Sequence, residues 1–447
     1  MSKSRELFER DGNALSTVMS LRFCPFVAES GEGAVLRDPD GKEYLDLTAG
    51  WGVANVGYCH PRVTKAVTDQ MKTLSFATTI SVPNMKSVEL AEKLKELVPG
   101  NFDKSVWFGH SGSDANEFIA KIIPYATGRS KILTFVGSYH GQTMGSYVMS
   151  GHPAQSRFSG GGNVVKLPYP YCYRCAFEKE KESCDLFCLR YIEDYIFDAV
   201  TSPDQVGAIV LEAIQCDGGD VVPADGFMQG IEKLCRKYGI LLIIDEVKIG
   251  FGRTGKMFGF EHWGIEPDIV VMAKPMGSGQ PISAVVGRKD IMNAGIGMHY
   301  FTTAGNPVAC AAALETIGII NDEKLVENAK EVGDYFVHEL EKLKDKHEII
   351  SDVRGKGLVI GVELVKDRET KEPATDEAAK VLYRGYELGL LFYNSGINSN
   401  VLEFTPPLVI TKEQVDFAVS VLDKAIEDVV NGKVPDEKLA EFAGWSS

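Results

Sequence analysis

The sequence has no apolar run long enough to cross a membrane and no excess of positive charge. None of its runs reaches the length of about 18 apolar residues that a spanning helix needs, and the first ten residues lack the apolar core of a signal peptide. Acidic residues outnumber basic ones, so the formal net charge is −15, and no basic cluster offsets it. These absences argue against membrane and nucleic-acid partners, and we expect a cytoplasmic protein.

Low-complexity tracts are absent as well, and the composition is ordinary for a globular protein. A chain of 447 residues is too long for one ordinary domain. We expect an N-terminal segment over residues 1–60 that packs with a small domain, a large domain over residues 61–320, and that small domain over residues 321–447.

Most of the nine cysteines stand alone in apolar surroundings, but four do not. Cys172 and Cys175 are followed by Cys184 and Cys188 in a polar insertion over residues 172–188. Paired cysteines of this kind are typical of zinc clips, although the spacing here is irregular. The alternatives are disulfides or free thiols in a surface insertion, and no catalytic metal follows from any of these interpretations.

Short apolar runs alternate with segments of helical length in the middle of the chain. Runs that are apolar on both faces predict strands covered on both sides, and the alternation predicts a mostly parallel α/β sheet. Near the start of the chain, Asp40-Gly41 predicts a tight hairpin. Further on, a long helix (323–346), a strand pair (352–367) and a last helix that begins with a capping box at Thr411 predict a smaller α+β domain. The strand runs are 106–108, 132–135, 207–211, 240–244, 269–272 and 284–286.

Chemically active side chains follow several of these predicted strands. Asp245 and Lys274 each end a buried run, at the sheet edge where α/β proteins bind their ligands. A lysine after such a run is poorly explained as a surface charge, and a desolvated amine forms Schiff bases. The segment 111–117 opens a helix, which suits a phosphate but also fits ordinary capping. Tyr139 offers an aromatic face at the same edge, or simply packs in the core.

These residues resemble the class III, fold type I pyridoxal-phosphate enzymes over nearly the whole chain. The resemblance rests on Asp245-Glu246-Val247, Gly250-Phe251-Gly252-Arg253-Thr254-Gly255 and Glu266-Pro267-Asp268, followed by Lys274. It implies an α/β fold with a large, mostly parallel sheet and a smaller α+β domain. It also implies pyridoxal 5′-phosphate as cofactor.

The family pattern implies a role for individual residues of this sequence. Lys274 is the lysine that binds the cofactor covalently, and Asp245 pairs with the pyridinium nitrogen, which keeps the ring an electron sink. Tyr139 stacks on the ring, while Gly112 and Ser113 belong to the phosphate loop. Thr302 resembles the threonine that reaches the phosphate of the neighbouring subunit, which implies a homodimer with shared sites.

The sequence also departs from this pattern near the expected substrate. Lys248 replaces the glutamine that usually lies near the cofactor's phenolic oxygen, or it points to solvent. Many aminotransferases of this class have a carboxylate-binding arginine before the double proline, but this chain has Glu403 there. Glu212, which relatives pair with that arginine, loses its expected partner.

Three functions are compatible with this pattern: an amino-acid racemase or epimerase, an aminotransferase, and a cofactor-binding relative without catalysis. We favour the racemase branch, to which several segments look most similar, and keep the aminotransferase as the alternative. Inversion of a carbon is easiest with a second acid/base group opposite the lysine, and Asp217 is the candidate. A simple turn before two glycines explains Asp217 equally well. Trp51 and Thr78 are in segments that line the substrate pocket in similar enzymes.

Overall fold

The computed structural model describes residues 2–156, 161–439 and 442. The chain starts with helix α1 and a small antiparallel sheet, in which the predicted hairpin at Asp40-Gly41 is confirmed. Gly41 has a φ of 84°, the left-handed region that favours glycine. The first elements are α1 (Lys3–Ala14), β1 (Ser30–Glu32), β2 (Val35–Arg37), β3 (Glu43–Asp46), α2 (Ala49–Gly52), α3 (Pro61–Thr73) and α4 (Met85–Leu97).

Seven strands of the described chain form the large central sheet, in the order β4-β10-β9-β8-β7-β5-β6. Only β10 runs against its neighbours, so the prediction of a mostly parallel sheet is confirmed. The strands are β4 (Lys104–Gly109), β5 (Lys131–Phe135), β6 (Val164–Leu167), β7 (Val206–Leu211), β8 (Leu241–Asp245), β9 (Ile269–Met272) and β10 (Ser283–Arg288).

Helices cover both faces of this sheet. On β7, Ala208 and Val210 face a core shared with the helix that follows β4, whereas Ile209 and Leu211 face the core on the other side. Two buried faces explain why these strands lack alternating polar residues. The helices are α5 (Gly112–Thr127), α6 (Met144–Met149), α7 (Pro153–Ser156), α8 (Phe187–Tyr191) with a π-helical continuation (Ile192–Val200), α9 (Phe227–Tyr238), α10 (Lys289–Met292) and α11 (Pro307–Asp322).

The C-terminal part is α+β, as predicted. Its antiparallel sheet has the order β11-β12-β16-β15, and the predicted capping box at Thr411 is confirmed at the start of α14. The elements are α12 (Leu325–Lys346), β11 (Ile350–Lys356), β12 (Val359–Asp367), β13 (Glu372–Pro373), α13 (Thr375–Glu387), β14 (Leu390–Leu391), β15 (Tyr393–Ser395), β16 (Val401–Phe404) and α14 (Lys412–Val430).

The N-terminal and C-terminal parts are hydrogen-bonded to each other. Strand β14 pairs in parallel with β3 and so completes the N-terminal sheet. The buried Arg253 donates to the backbone oxygens of Leu358 and Pro406 and also bonds Asn55. These contacts bring three distant segments together around the end of β8, although the domain boundaries at residues 60 and 320 stay predictions. None of the described helices is long and apolar enough to cross a membrane.

Candidate active site

The carboxyl ends of the parallel strands open into a cavity of about 290 Å³. Asp245 ends β8, Lys274 follows β9, Asp217 follows β7 and Tyr139 follows β5, so four neighbouring strands each contribute a side chain. This is the edge at which α/β sheets bind ligands. The other lining residues are Val53, His110, Ser111, Gly112, Ser113, Asn116, His140, Glu212, Ile214, Val247, Lys248, Ile249, Ala273, Gly279, Gln280, Pro281 and Ile282.

Asp245 is held firmly as an acceptor at the base of this cavity. Its carboxylate is only 3% exposed; Oδ2 lies 2.8 Å from both Asn116 Nδ2 and His140 Nδ1, and Oδ1 accepts from the Val247 amide at 3.0 Å. These three hydrogen bonds fix the position of the buried carboxyl group. Neither Asn116, within the segment 111–117, nor His140, next to Tyr139, was predicted from the sequence as a site residue.

Lys274 is a desolvated amine on a strained backbone. It adopts a φ of 28°, in a region that non-glycine residues rarely visit, at the start of the turn Lys274–Gly277. Burial lowers the pKa of Lys274, and the nearby cation of Lys248 lowers it further. The amine also lies 5.9 Å from the centre of the Tyr139 ring. A lysine that loses its proton readily is suited to imine formation.

The start of α5 also lines the cavity. Ser111 caps the helix by accepting from the Asp114 amide at 3.2 Å, and Ser113 Oγ accepts from the Gln142 amide at 3.0 Å. A Cβ on Gly112 would lie 2.7 Å from Val247 Cγ1, so only glycine fits there without displacing that side chain. The first amides of a 16-residue helix favour an anion.

Glu212 faces the cavity as a neutral acid. It is 7% exposed, and its Oε2 has no hydrogen-bond partner among the described residues. Burial raises the pKa of Glu212 well above the ordinary value, and the carboxylates of Asp245 and Asp217 raise it further. None of the described residues that line the cavity is an arginine that could pair with Glu212. The raised pKa correspondingly favours the protonated, uncharged form of this side chain.

Lys248, Asp217 and Glu403 form one buried charge cluster beside the cavity. Lys248 Nζ lies 2.7 Å from each oxygen of Glu403 and 3.4 Å from Asp217 Oδ1. The alternative that Lys248 points to solvent is wrong, because its side chain is only 6% exposed. Burial opposes its charge, but Glu403 and Asp217 outweigh that effect and raise the pKa of Lys248. None of the described residues that line the cavity is an arginine.

The remaining predicted residues lie outside the cavity lining. Trp51 is half-buried and stacks on Tyr393, with 4.4 Å between the ring centres, while Lys248 Nζ lies 5.1 Å from its ring. Thr78 is half-buried near the surface, and Thr302 is exposed in the segment before α11. Next to Thr302, the Thr303 hydroxyl is 2.7 Å from His110 Nε2 at the mouth of the cavity. Their roles stay predictions.

The four cysteines of the insertion are free and partly buried. In the described part of the chain, no group of three or more histidine, cysteine or acidic side chains is arranged to hold a metal ion. Burial raises the pKa of Cys172, and it raises that of Cys188 to about 11, so both side chains are neutral thiols. The three interpretations of the insertion stay predictions.

The cavity as a whole has the donor set that pyridoxal phosphate requires. A buried aspartate suits the ring nitrogen, a desolvated lysine suits the aldehyde, an aromatic ring suits the π-face, and a helix start suits the phosphate. Three buried polar atoms around the cavity, Asn116 Oδ1, His140 Nε2 and Glu212 Oε2, have no partner among the described residues. The site therefore defines a pyridoxal-phosphate enzyme of fold type I.

Comparison with known proteins identifies the family. The family described as aminotransferase class-III matches residues 18–426, so the chain belongs to this family, whose cofactor is pyridoxal phosphate. A leucine/methionine racemase of Thermococcus litoralis is 42% identical over 99% of this chain and 100% of its own length. An isoleucine 2-epimerase of Lentilactobacillus buchneri is 39% identical over 100% and 99%.

The solved structures that resemble this chain extend the comparison. A transaminase from the marine bacterium Virgibacillus superimposes with a TM-score of 0.88 at 31% identity, covering 96% of this chain and 100% of its own. The predicted fold type is therefore confirmed. Curated racemases and epimerases are the more similar relatives in sequence, while the structural neighbours are transaminases. The chain is thus an enzyme of this family.

Proposed function

We propose that the protein is an amino-acid racemase or epimerase that inverts the α-carbon of free amino acids. The observation that carries this proposal is a second buried carboxylate, Asp217, facing the same cavity as Lys274. Inversion is easiest when one group removes a proton from one face of Cα and another returns a proton on the opposite face. The similarity to curated racemases over nearly the full chain supports the same conclusion.

The protein's own residues divide this task. Bound pyridoxal phosphate supplies the electron sink that acidifies the Cα hydrogen. Asp245, fixed by Asn116 and His140, would pair with the protonated ring nitrogen. Lys274, with its lowered pKa, exchanges a proton at one face, and Asp217 exchanges a proton at the other.

Asp217 is suited to act as the second base. Its side chain is 9% exposed, and burial alone would raise its pKa, but Lys248, Lys274 and His152 outweigh that effect and lower it. The carboxylate is therefore ionised before it accepts a proton. Its backbone oxygen accepts from the Gly396 amide at 2.9 Å, which fixes the turn that presents it to the cavity.

The aminotransferase remains the alternative, because the structural neighbours carry out that reaction on the same fold. Aminotransferases of this class often bind a substrate carboxylate with arginine, and the position before the double proline holds Glu403 instead. The ammonium of Lys248 is not free to bind a substrate carboxylate in place of that arginine, since it already contacts both carboxylate oxygens of Glu403. This favours a substrate with a single carboxylate.

We also propose that the enzyme is a homodimer whose Thr302 serves the neighbouring site. The exposed apolar side chains of the segment 71–88 support this, because such a patch on a monomer is unfavourable in water. The patch lies next to the segment of Thr302: Thr79 donates to the Ala304 oxygen at 2.9 Å. The exposed apolar residues are Met71, Leu74, Phe76, Ile80, Val82, Met85 and Val88.

Substitution of Asp217 tests the proposed reaction. Asp217→Asn keeps the shape of the side chain but cannot accept the proton, so inversion of a single L-amino acid should slow by about 10²–10⁴-fold. Cofactor binding, followed by absorbance, should persist because Asp217 does not contact Asp245. Chiral chromatography of the products measures the effect. Unchanged inversion would make Asp217 a turn residue, and amination of an added keto acid without inversion would favour the aminotransferase.

A further inference from the structure

The charge cluster around Lys248 is unusual because one buried cation is placed between two buried carboxylates. Lys248 is 6% exposed, Glu403 1% and Asp217 7%. With all three groups ionised, the cluster carries one uncompensated negative charge away from water. Such a charge is costly, so the arrangement needs a reason beyond stability.

The two carboxylates contact the ammonium differently. Glu403 bonds Nζ with both oxygens at 2.7 Å, whereas Asp217 reaches it with Oδ1 alone at 3.4 Å. Glu403 therefore forms the closer ion pair with Lys248, and Asp217 makes only a longer contact with the same ammonium. Glu403 comes from β16 of the C-terminal sheet and Lys248 from the segment after β8, so the cluster forms only when both parts of the fold are in place.

Other charged groups also face Asp217. Lys274 and His152 favour its ionised form, while Glu403, Glu212 and Asp220 lie near the same cluster. Burial lowers the pKa of His152 and raises that of Glu212 and of Asp220. Burial also raises the pKa of Glu403, although the Lys248 cation opposes that effect. In the proposed function Lys274 is committed to the cofactor. Lys248 is then the fixed cation that acts on Asp217.

We propose that Lys248, held by Glu403, is a positioning residue that keeps Asp217 ionised and directed into the cavity as the second base. This inference rests on the two-base function proposed above. In the step concerned, the Cα–H bond breaks, the proton forms an O–H bond on Asp217, and the electron pair stays on Cα, where a bound cofactor would supply the electron sink. Protonation of Asp217 leaves Lys248 and Glu403 as a neutral pair, so proton uptake removes the uncompensated charge.

Opposite shifts in two variants test the inference. In Lys248→Met, Asp217 and Glu403 repel each other without a cation between them. The acid limb of the pH–rate profile for proton removal by Asp217 should therefore move up by about one to three pH units. Glu403→Gln frees Lys248 for Asp217 alone, so the same limb should move down. The double variant Lys248→Met/Glu403→Gln removes the repulsion and should return the limb toward the parent.

Deuterium exchange at Cα resolves the two faces. For the enantiomer whose hydrogen faces Asp217, the pH profile of exchange should show these shifts. The enantiomer whose hydrogen faces Lys274 is the internal control: the acid limb of its profile should be the same in the variants as in the parent enzyme, within experimental error. In the cofactor-free protein, infrared spectra should show an additional protonated carboxyl in Lys248→Met at neutral pH but not in Glu403→Gln. The infrared result does not depend on turnover.

The outcomes separate this inference from the function on which it rests. Asp217→Asn should abolish exchange at one face; if it leaves both faces unchanged, the two-base function itself is wrong. If Asp217→Asn acts as expected but both Lys248→Met and Glu403→Gln lower exchange without moving the limb, Lys248 is merely structural and the inference is overturned. Should Lys248→Met fail to fold, the downward shift in Glu403→Gln still decides the question.

Discussion

Replacing Glu212 by glutamine should stabilise the cofactor-free protein at neutral pH. Glu212 is buried, its Oε2 has no partner among the described residues, and its pKa lies well above the ordinary value. The folded state therefore holds a proton that the unfolded chain releases. Glutamine has almost the same shape and needs no proton, so it avoids this cost.

The magnitude follows from the linkage between protonation and folding. Below the pKa of an unfolded glutamate, about 4.3, Glu212 is protonated in both the folded and the unfolded state. Its protonation then does not lower the free energy of unfolding of the wild type. As pH rises above that value, the wild type loses about 1.4 kcal/mol of stability per pH unit until the folded-state pKa is passed. The advantage of Glu212→Gln should therefore grow with pH above about 4.3, by up to about 1.4 kcal/mol per pH unit.

Urea unfolding of both proteins at several pH values measures this difference. Asp217→Asn is the matched control: the pKa of Asp217 is lowered, so its contribution to stability is present at neutral pH and is lost only in acid, below the ordinary pKa. The difference between that variant and the wild type should not grow from pH 5 to pH 7. An advantage of Glu212→Gln that is independent of pH would refute the reasoning.

Further predictions concern the cofactor and the packing around it. Borohydride reduction should attach the cofactor to the peptide containing Lys274, and a labelled peptide containing Lys248 instead would contradict the assignment. Thr302→Ala should weaken cofactor retention in dialysis, whereas a fully active monomer in light scattering would exclude a shared site. Gly112→Ala should raise the Kd for cofactor, because its Cβ would lie 2.7 Å from Val247; an unchanged Kd would show that Val247 yields. Arg253→Lys should lower the Tm, since each buried group left without a partner costs about 1–3 kcal/mol; an unchanged Tm would show that lysine satisfies the same acceptors.

The sequence predicted well those features that depend on short stretches of chain. Asp245 and Lys274 could be placed at one sheet edge because each follows a continuous apolar run, and parallel strands end on the same side. The capping box at Thr411 and the hairpin at Asp40-Gly41 are likewise encoded within a few residues. Both are present in the structure.

Contacts between distant residues were not predictable in this way. Lys248 and Glu403 are 155 residues apart, and Asn116 and Asp245 are 129 apart, so no periodicity relates them. Strand β16, which carries Glu403, has only four residues, and β14 has only two. Such short strands exist through their pairing with neighbours rather than through their own sequence pattern, and this explains why the sequence did not indicate them.

Product analysis after incubation of a single L-amino acid with enzyme and no keto acid tests the central claim most directly. A racemase or epimerase needs no second substrate, so the opposite configuration at Cα should accumulate over many turnovers per site without formation of keto acid. An aminotransferase without an acceptor stops after one equivalent of amino acid per site and releases an equal amount of keto acid. Many turnovers of inversion are the result we predict; a single equivalent of keto acid with no inverted product would contradict it.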